Sequence, residues 1–165
     1  MVEHEGAMQD NCGYTALMHA AENGHTECVK LLVEHEGGMQ DNCGYTALMW
    51  AAYRNNTESA RLLLEEEGGM QKNDGWTALM YATCNNRLEC ARLLLEKEAG
   101  MRDRNGVTAL MVAAYWNNLE CVRLLAEREK DMKTTREWDG FPPGTTALAI
   151  AKKMARTAIV SILRG

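Results

Sequence analysis

The sequence predicts an all-α solenoid, a stack of helix–turn–helix units joined by short β-hairpin-like connections. Two observations predict it. The string Thr-Ala-Leu-Met begins at Thr15 and returns at Thr46, Thr77 and Thr108, 31 residues apart each time, with a weaker copy, Thr146-Ala147-Leu148-Ala149, 38 residues after the fourth. Within each period the apolar residues fall at helical spacing in two runs, parted by a glycine or an asparagine. A fixed period of this length marks an array in which each unit buries its apolar face only against its neighbours. Residues 1–165 therefore read as one array. Its units run over about 11–40, 41–71, 72–102, 103–132 and 133–165, preceded by a tail at 1–10, and the last contains an inserted loop at 133–144.

Residues 2–10 match Val33–Asp41 at eight of nine positions, and that stretch is the end of a unit. The chain is thus expected to open on the tail of a unit whose front half is absent, as a piece of a longer array. In the first full unit, Gly13 suits a turn backbone that other residues resist. Thr15 offers a hydroxyl to cap a helix by accepting from an amide left free at its N-terminus. Leu17, Ala20 and Ala21 then give one apolar stripe, with the alanines allowing close approach of the next unit. Gly24 ends this helix, and Asn55, Asn86 and Asn117 hold the same register later. Glycine and asparagine are the residues that best tolerate the left-handed position beyond a helix end.

A second helix is expected from about Glu27 to Glu34, with Cys28, Val29, Leu31 and Leu32 completing the small core. Glu27, Glu58, Glu89 and Glu120 share a register near the positive end of its dipole. Glu34 and Glu36 oppose the dipole at the other end, and solubility is the simplest reason for them. The runs Glu65-Glu66-Glu67 and Glu96-Lys97-Glu98 read likewise as a solvated face. Gly37-Gly38 breaks the helix before the next turn.

Methionine and cysteine follow the period too. Nine of eleven methionines occupy two registers, Met8, Met39, Met70, Met101 and Met132 in one and Met18, Met49, Met80 and Met111 in the other, which indicates packing. Cys12 and Cys43 share one register, and Cys28, Cys90 and Cys121 another. Residues spread along an array at unit intervals are poorly placed to pair, and there is no C-x-x-C. They read as reduced thiols in a cytoplasmic protein, used as small buried groups. Between Met132 and Thr146 seven extra residues appear, within Lys133–Gly144, carrying the only prolines, Pro142 and Pro143, together with Trp138 and Phe141. Lys152 and Lys153 then stand where earlier units have Ala21 and Glu22, as suits a capping unit with a more polar outer face.

Composition narrows the function. A net charge of -5 with interspersed signs argues against a nucleic-acid partner. No apolar run approaches the roughly 20 residues that span a bilayer, so no membrane insertion is expected. No basic segment followed by an apolar one suggests secretion. The four histidines, His4, His19, His25 and His35, lie near the N-terminal end. A Cys–His pair such as Cys12 or Cys43 with His19 can be imagined, but no spacing demands it, and no catalytic or zinc motif is present. The sequence predicts no enzyme, no metal and no cofactor.

With these residues in view, the chain resembles the ankyrin-repeat family. Thr15-Ala16-Leu17-Met18-His19-Ala20-Ala21 and its copies stand where that family has Thr-Pro-Leu-His-x-Ala, and the first unit adds Asn23-Gly24-His25 and Val29-Lys30-Leu31-Leu32. The resemblance covers essentially the whole chain. It departs from the family at alanine for proline, at methionine for histidine, and in a period shorter by two, with the missing pair taken from the hairpin. The resemblance implies an ankyrin-type solenoid with stubby fingers too short for regular strands. It also implies a concave groove lined by fingers and first helices, used for non-catalytic recognition of a protein or peptide partner.

The candidate binding residues are those that refuse to repeat. The position before the threonine reads Tyr14, Tyr45, Trp76, Val107, Thr145, and the fourth after it reads His19, Trp50, Tyr81, Val112, Ile150. That fourth position lies about 200° around the helix from the leucine stripe, so it faces away from the core. Tyr53, Tyr115 and Trp116 end the first helices. Tyrosine and tryptophan dominate binding hot spots, and exposed aromatic patches mark interaction sites. Large aromatics could instead merely cover the alanine-rich helices. Trp138 and Phe141 either bind the partner or fold down onto the last unit. The chain is expected to be monomeric, with end-to-end self-association through an exposed terminal face as a possibility. The alternative functions are a structural spacer, or a regulatory or substrate-recruiting arm of a larger multidomain protein such as a kinase.

Overall fold

In the computed structural model, which describes residues 8–165, the threonines start helices as their chemistry dictates. Thr15 Oγ1 accepts from the Met18 amide at 3.1 Å, and Thr46, Thr77, Thr108 and Thr146 do the same for the residue three on. The five first helices are α1 (Ala16–Asn23), α3 (Ala47–Arg54), α5 (Ala78–Cys84), α7 (Ala109–Tyr115) and α9 (Ala147–Lys153). Each is followed by a second helix, respectively α2 (Thr26–Glu36), α4 (Thr57–Glu67), α6 (Leu88–Glu98), α8 (Leu119–Glu129) and α10 (Thr157–Arg164). The second helix is thus longer at both ends than the sequence predicts. Between the two helices the chain turns through a left-handed residue: Gly24 at φ 71°, then Asn55, Asn86 and Asn117 at 64°, 54° and 63°.

First helices stack in one row, α1 on α3 on α5 on α7 on α9, and second helices in another, α2 through α10. The core runs along the seam. Leu17, Leu48, Leu79 and Leu110 are completely buried, as are Met18, Met49, Met80 and Met111 to within 1 %. Each such leucine contributes about 1.5–3 kcal/mol by leaving water. Alanines at Ala21, Ala51, Ala52, Ala82 and Ala113 are closed off between adjacent first helices. The second methionine register is only half-buried at Met39, Met70, Met101 and Met132, and Met8 is exposed. The cysteines divide. Cys90 and Cys121 are buried and Cys84 half-buried, but Cys12, Cys28 and Cys43 are exposed, so the expectation of uniformly buried thiols fails for those three. Burial raises the Cys121 thiol to about 11, which makes it inert.

The fingers between units form no regular strands among the described residues. They are joined by single backbone bonds: Asn42 N donates to Cys12 O at 2.9 Å, Asn73 N to Cys43 O at 3.1 Å, and Arg104 N to Asp74 O at 3.1 Å. Gly44, at φ 91°, is required twice over, since a Cβ there would also come within 2.7 Å of Asn73 N. Glutamine side chains complete the ladder. Gln40 Nε2 donates to Gly44 O in its own finger and to Gln71 O in the next, and Gln9 and Gln71 repeat the pattern.

The acidic ends of the second helices are a solvated face only in part: Glu34, Glu65, Glu66, Glu96 and Lys97 are exposed as expected, but the last glutamate of each of α2, α4, α6 and α8 is buried. Glu67, Glu98 and Glu129 are 1 % exposed and Glu36 is 6 % exposed. Each reaches back 19 residues to the start of its own first helix, accepting from the Leu17, Leu48, Leu79 or Leu110 amide at 2.6–2.8 Å. The other carboxyl oxygen of Glu67, Glu98 and Glu129 accepts from Gly38, Gly69 or Gly100 at the end of the preceding unit. A carboxylate that opposes the dipole of its own helix therefore meets the positive end of another. Together with the threonine it occupies two amides that a helix start leaves free.

Candidate functional site

First helices and fingers carry the residues that vary between units. Seven of the predicted residues come together in one run. Tyr14 meets His19 at 4.4 Å between ring centroids and Trp50 of the next unit at 5.6 Å. Trp50 stacks on Tyr45 at 4.9 Å and meets Tyr53 edge-on at 6.3 Å. Tyr81 of the third unit then touches Tyr45, Tyr53 and Trp76 at 5.5, 6.5 and 5.1 Å. Each ring sits at a finger tip or on a first helix, so the 31-residue period places like registers side by side.

The run encloses a cavity of about 270 Å³ lined by Tyr45, Met49, Trp50, Tyr53, Arg54 and Tyr81. Its hydroxyls are linked, with Tyr81 OH donating to Tyr45 OH at 3.1 Å. Burial pushes the Tyr81 hydroxyl far above the usual tyrosine range, so it stays neutral and serves as a hydrogen-bonding edge. Trp50 Nε1 is buried without an acceptor among the described residues, which leaves one N–H of the wall unsatisfied.

Charges frame the aromatics. Glu22 accepts from Arg54 Nη2 at 2.7 Å and from Tyr14 OH at 2.8 Å, and these bonds, led by that from Arg54, hold its carboxyl below the usual range. Arg54 also lies 5.5 Å from the Tyr53 ring centroid and Lys72 lies 5.0 Å from that of Tyr45, both cation–π contacts. Lys72 pairs with Asp74 at 2.7 Å. Arg87 Nε donates to Tyr53 O at 3.2 Å and makes no ion pair among the described residues.

The remaining predicted residues form a second group. Tyr115 meets Trp116 at 5.4 Å and Trp138 at 5.2 Å, and Trp138 stacks with Phe141 at 6.0 Å. Trp116 is 54 % exposed and Tyr53 is 38 % exposed, and His19 is exposed as well, whereas the other rings of the set are half-buried or buried. Phe141 is buried in the core, so it is not presented to solvent. The inserted loop folds down onto the last units. Trp138 N donates to Phe141 O at 3.0 Å and Phe141 N to Trp138 O at 2.8 Å, and Lys153 Nζ donates to Gly140 O at 2.9 Å. The fourth position after the threonine faces away from the core at His19, Trp50 and Tyr81, but Val112 and Ile150 in that register are buried. Those two valine and isoleucine side chains join the same apolar cluster as Phe141.

Sequence reasoning did not single out Met49, Arg54, Lys72, Arg87 or Glu22. Four of the five lie in registers that change between units, the signal that marked the aromatics; Met49 lies in a repeating one and reads as scaffold. Among the described residues no group of three His, Cys, Asp or Glu side chains could hold a metal ion, and no helix is long and apolar enough to cross a membrane.

A family model described as ankyrin repeats (3 copies) matches residues 1–73 and again 66–136. No curated protein matches the sequence. Ankyrin repeats are generally protein–protein interaction modules and are typically non-catalytic. The matched span, the stacked helix pairs and the finger between each pair place this chain in the ankyrin-repeat family.

Proposed function

We propose that the chain is a single recognition array that binds a protein or peptide partner through the face made by its first helices and fingers, and that it performs no chemistry. The observation that carries this reading is the contiguous run from Tyr14 to Tyr81, seven rings crossing three units, four of the rings lining an open cavity. Aromatic residues around a pocket supply large contact area at low entropic cost, because few torsions must be frozen. Stacked units hold those rings in place before binding, which removes a further part of the ordering cost. The other face is chemically different. Glu58, Arg61, Glu120 and Arg123 pair along second helices in exposed i,i+3 contacts, which contribute little and serve solubility. We place the protein in the cytoplasm, where its six unpaired cysteines stay reduced.

The test is site-directed photo-crosslinking. A benzophenone side chain is placed at Tyr53 on the aromatic face and, separately, at Glu89 on a second helix. The expected result is a defined protein adduct from position 53 and none from position 89. Adducts from position 89 alone contradict the assignment of the face.

A further inference from the structure

Four rings of the aromatic run close a circuit. Trp50, Tyr45, Tyr81 and Tyr53 follow one another at centroid separations of 4.9, 5.5, 6.5 and 6.3 Å, the last returning to Trp50. Tyr53 stands across its two neighbours, at 72° to Tyr81 and 76° to Trp50. All four line the cavity of about 270 Å³, together with Arg54 and the buried Met49. Tyr53, 38 % exposed, is the ring of the four most open to solvent.

The faces of such rings carry negative potential and attract cations. Two of them already hold one of the chain's own: Lys72 Nζ lies 5.0 Å from the Tyr45 centroid and the Arg54 guanidinium 5.5 Å from that of Tyr53. Both cations are balanced by carboxylates, Asp74 and Glu22, at 2.7 Å each. Beyond these pairs Arg87 stands against Asp41 and Asp103, whose carboxylates accept backbone amides and make no ion pair among the described residues. No positive excess therefore opposes a further cation.

The wall also selects the kind of cation. A lysine ammonium carries three N–H donors, which need acceptors once they leave water. No carboxylate lines the cavity among the described residues, and the Tyr45 hydroxyl oxygen already accepts from Tyr81. A trimethylated ammonium keeps its charge, has no N–H to satisfy, and presents methyl groups to the ring faces.

We infer that the circuit of Tyr45, Trp50, Tyr53 and Tyr81 is a cage for the trimethylammonium head of a methylated lysine on the partner protein. The inference rests on the binding face proposed above and names the chemistry that face selects. An aliphatic side chain fills the cavity but brings no charge to the rings, and an unmodified lysine brings donors that the wall leaves unpaired.

The probe is Nα-acetyl-trimethyllysine amide, titrated into the full chain and followed on the Trp50 indole N–H resonance, which Trp50→Phe identifies. A saturable shift is expected. Two controls separate charge from shape: the neutral isostere with carbon in place of the quaternary nitrogen, and the unmethylated lysine amide. Each should bind about 5- to 30-fold more weakly, the range that cation–π contacts span. Tyr53→Ala should weaken the probe at least about fivefold, while Tyr53→Phe, which keeps the ring, retains most of the affinity. Equal binding of either control, indifference to Tyr53→Ala, or no saturable shift overturns the inference. Phosphatidylcholine vesicles carry the same headgroup; Tyr53-dependent co-sedimentation with them while the lysine probe stays silent assigns the cage to a lipid and overturns the protein source. A failed titration beside a protein adduct from position 53 removes the cage and leaves the binding face standing. A failed titration with no adduct removes both.

Discussion

Ala155 sits at φ 55°, in the register where the other units have Gly24, Asn55, Asn86 and Asn117. An L-residue without a local hydrogen-bonding side chain costs about 1–2 kcal/mol in that region. Replacing it relieves the strain, and Ala155→Gly is expected to stabilise the array by about 1 kcal/mol in denaturant unfolding. No gain, or a loss, contradicts the assignment of strain. Single residues also show how the array tolerates variation. Where Asp10, Asp41 and Asp103 accept two backbone amides to shape a finger, the third unit has Lys72, and Asp74 takes over the Trp76 amide while pairing with Lys72. The finger survives because the carboxylate has moved two positions along the chain.

At the scale of elements, every first helix begins under a threonine and the first four also under a glutamate, and the two were not equally legible. The threonine acts three residues away, within its own turn, so the sequence alone discloses its role. The glutamate acts across 19 residues and then into the preceding unit, and a helix read by itself gives its carboxylate no partner. Its recurrence as Glu36, Glu67, Glu98 and Glu129 was the available signal. Burial raises the Glu67 carboxyl from an ordinary value of 4.5 to about 7, and moves Glu98 in the same direction. The folded chain therefore keeps a proton that the unfolded chain releases above about 4.5, so the contribution is complete below that pH and is lost as pH rises through about 7. The denaturation midpoint should fall between pH 5 and pH 8, by less in Glu67→Gln, which cannot ionise. A midpoint that rises over this interval only in the unsubstituted chain reverses the sign. Glu98→Ala strands the Leu79 and Gly69 amides and should cost about 2–4 kcal/mol, with m-values showing whether cooperativity between units is lost.

Over the whole molecule, two kinds of position divide the work. Registers that repeat build the scaffold: Thr15, Leu17, Met18 and Glu36 with their copies are buried and internally bonded. Registers that change gather on the first-helix and finger face. Which aromatics would vary could be read from the period, but which rings would touch could not, because Tyr14–Trp50 and Tyr53–Tyr81 contacts depend on the stagger between units. The period likewise left the inserted loop undecided. Its burial depends on a turn, Trp138 to Phe141, meeting Tyr115 and Lys153 from two other elements.

The most direct measurement is the affinity of the double variant Trp50→Ala/Trp76→Ala for a crosslinked and identified partner, taken beside its far-UV circular dichroism. Both rings are half-buried on the aromatic face and neither lies among the fully buried core. Losing two hot-spot aromatics should weaken binding by at least about 100-fold while the helical signal is retained. Undiminished binding by the folded double variant contradicts the account.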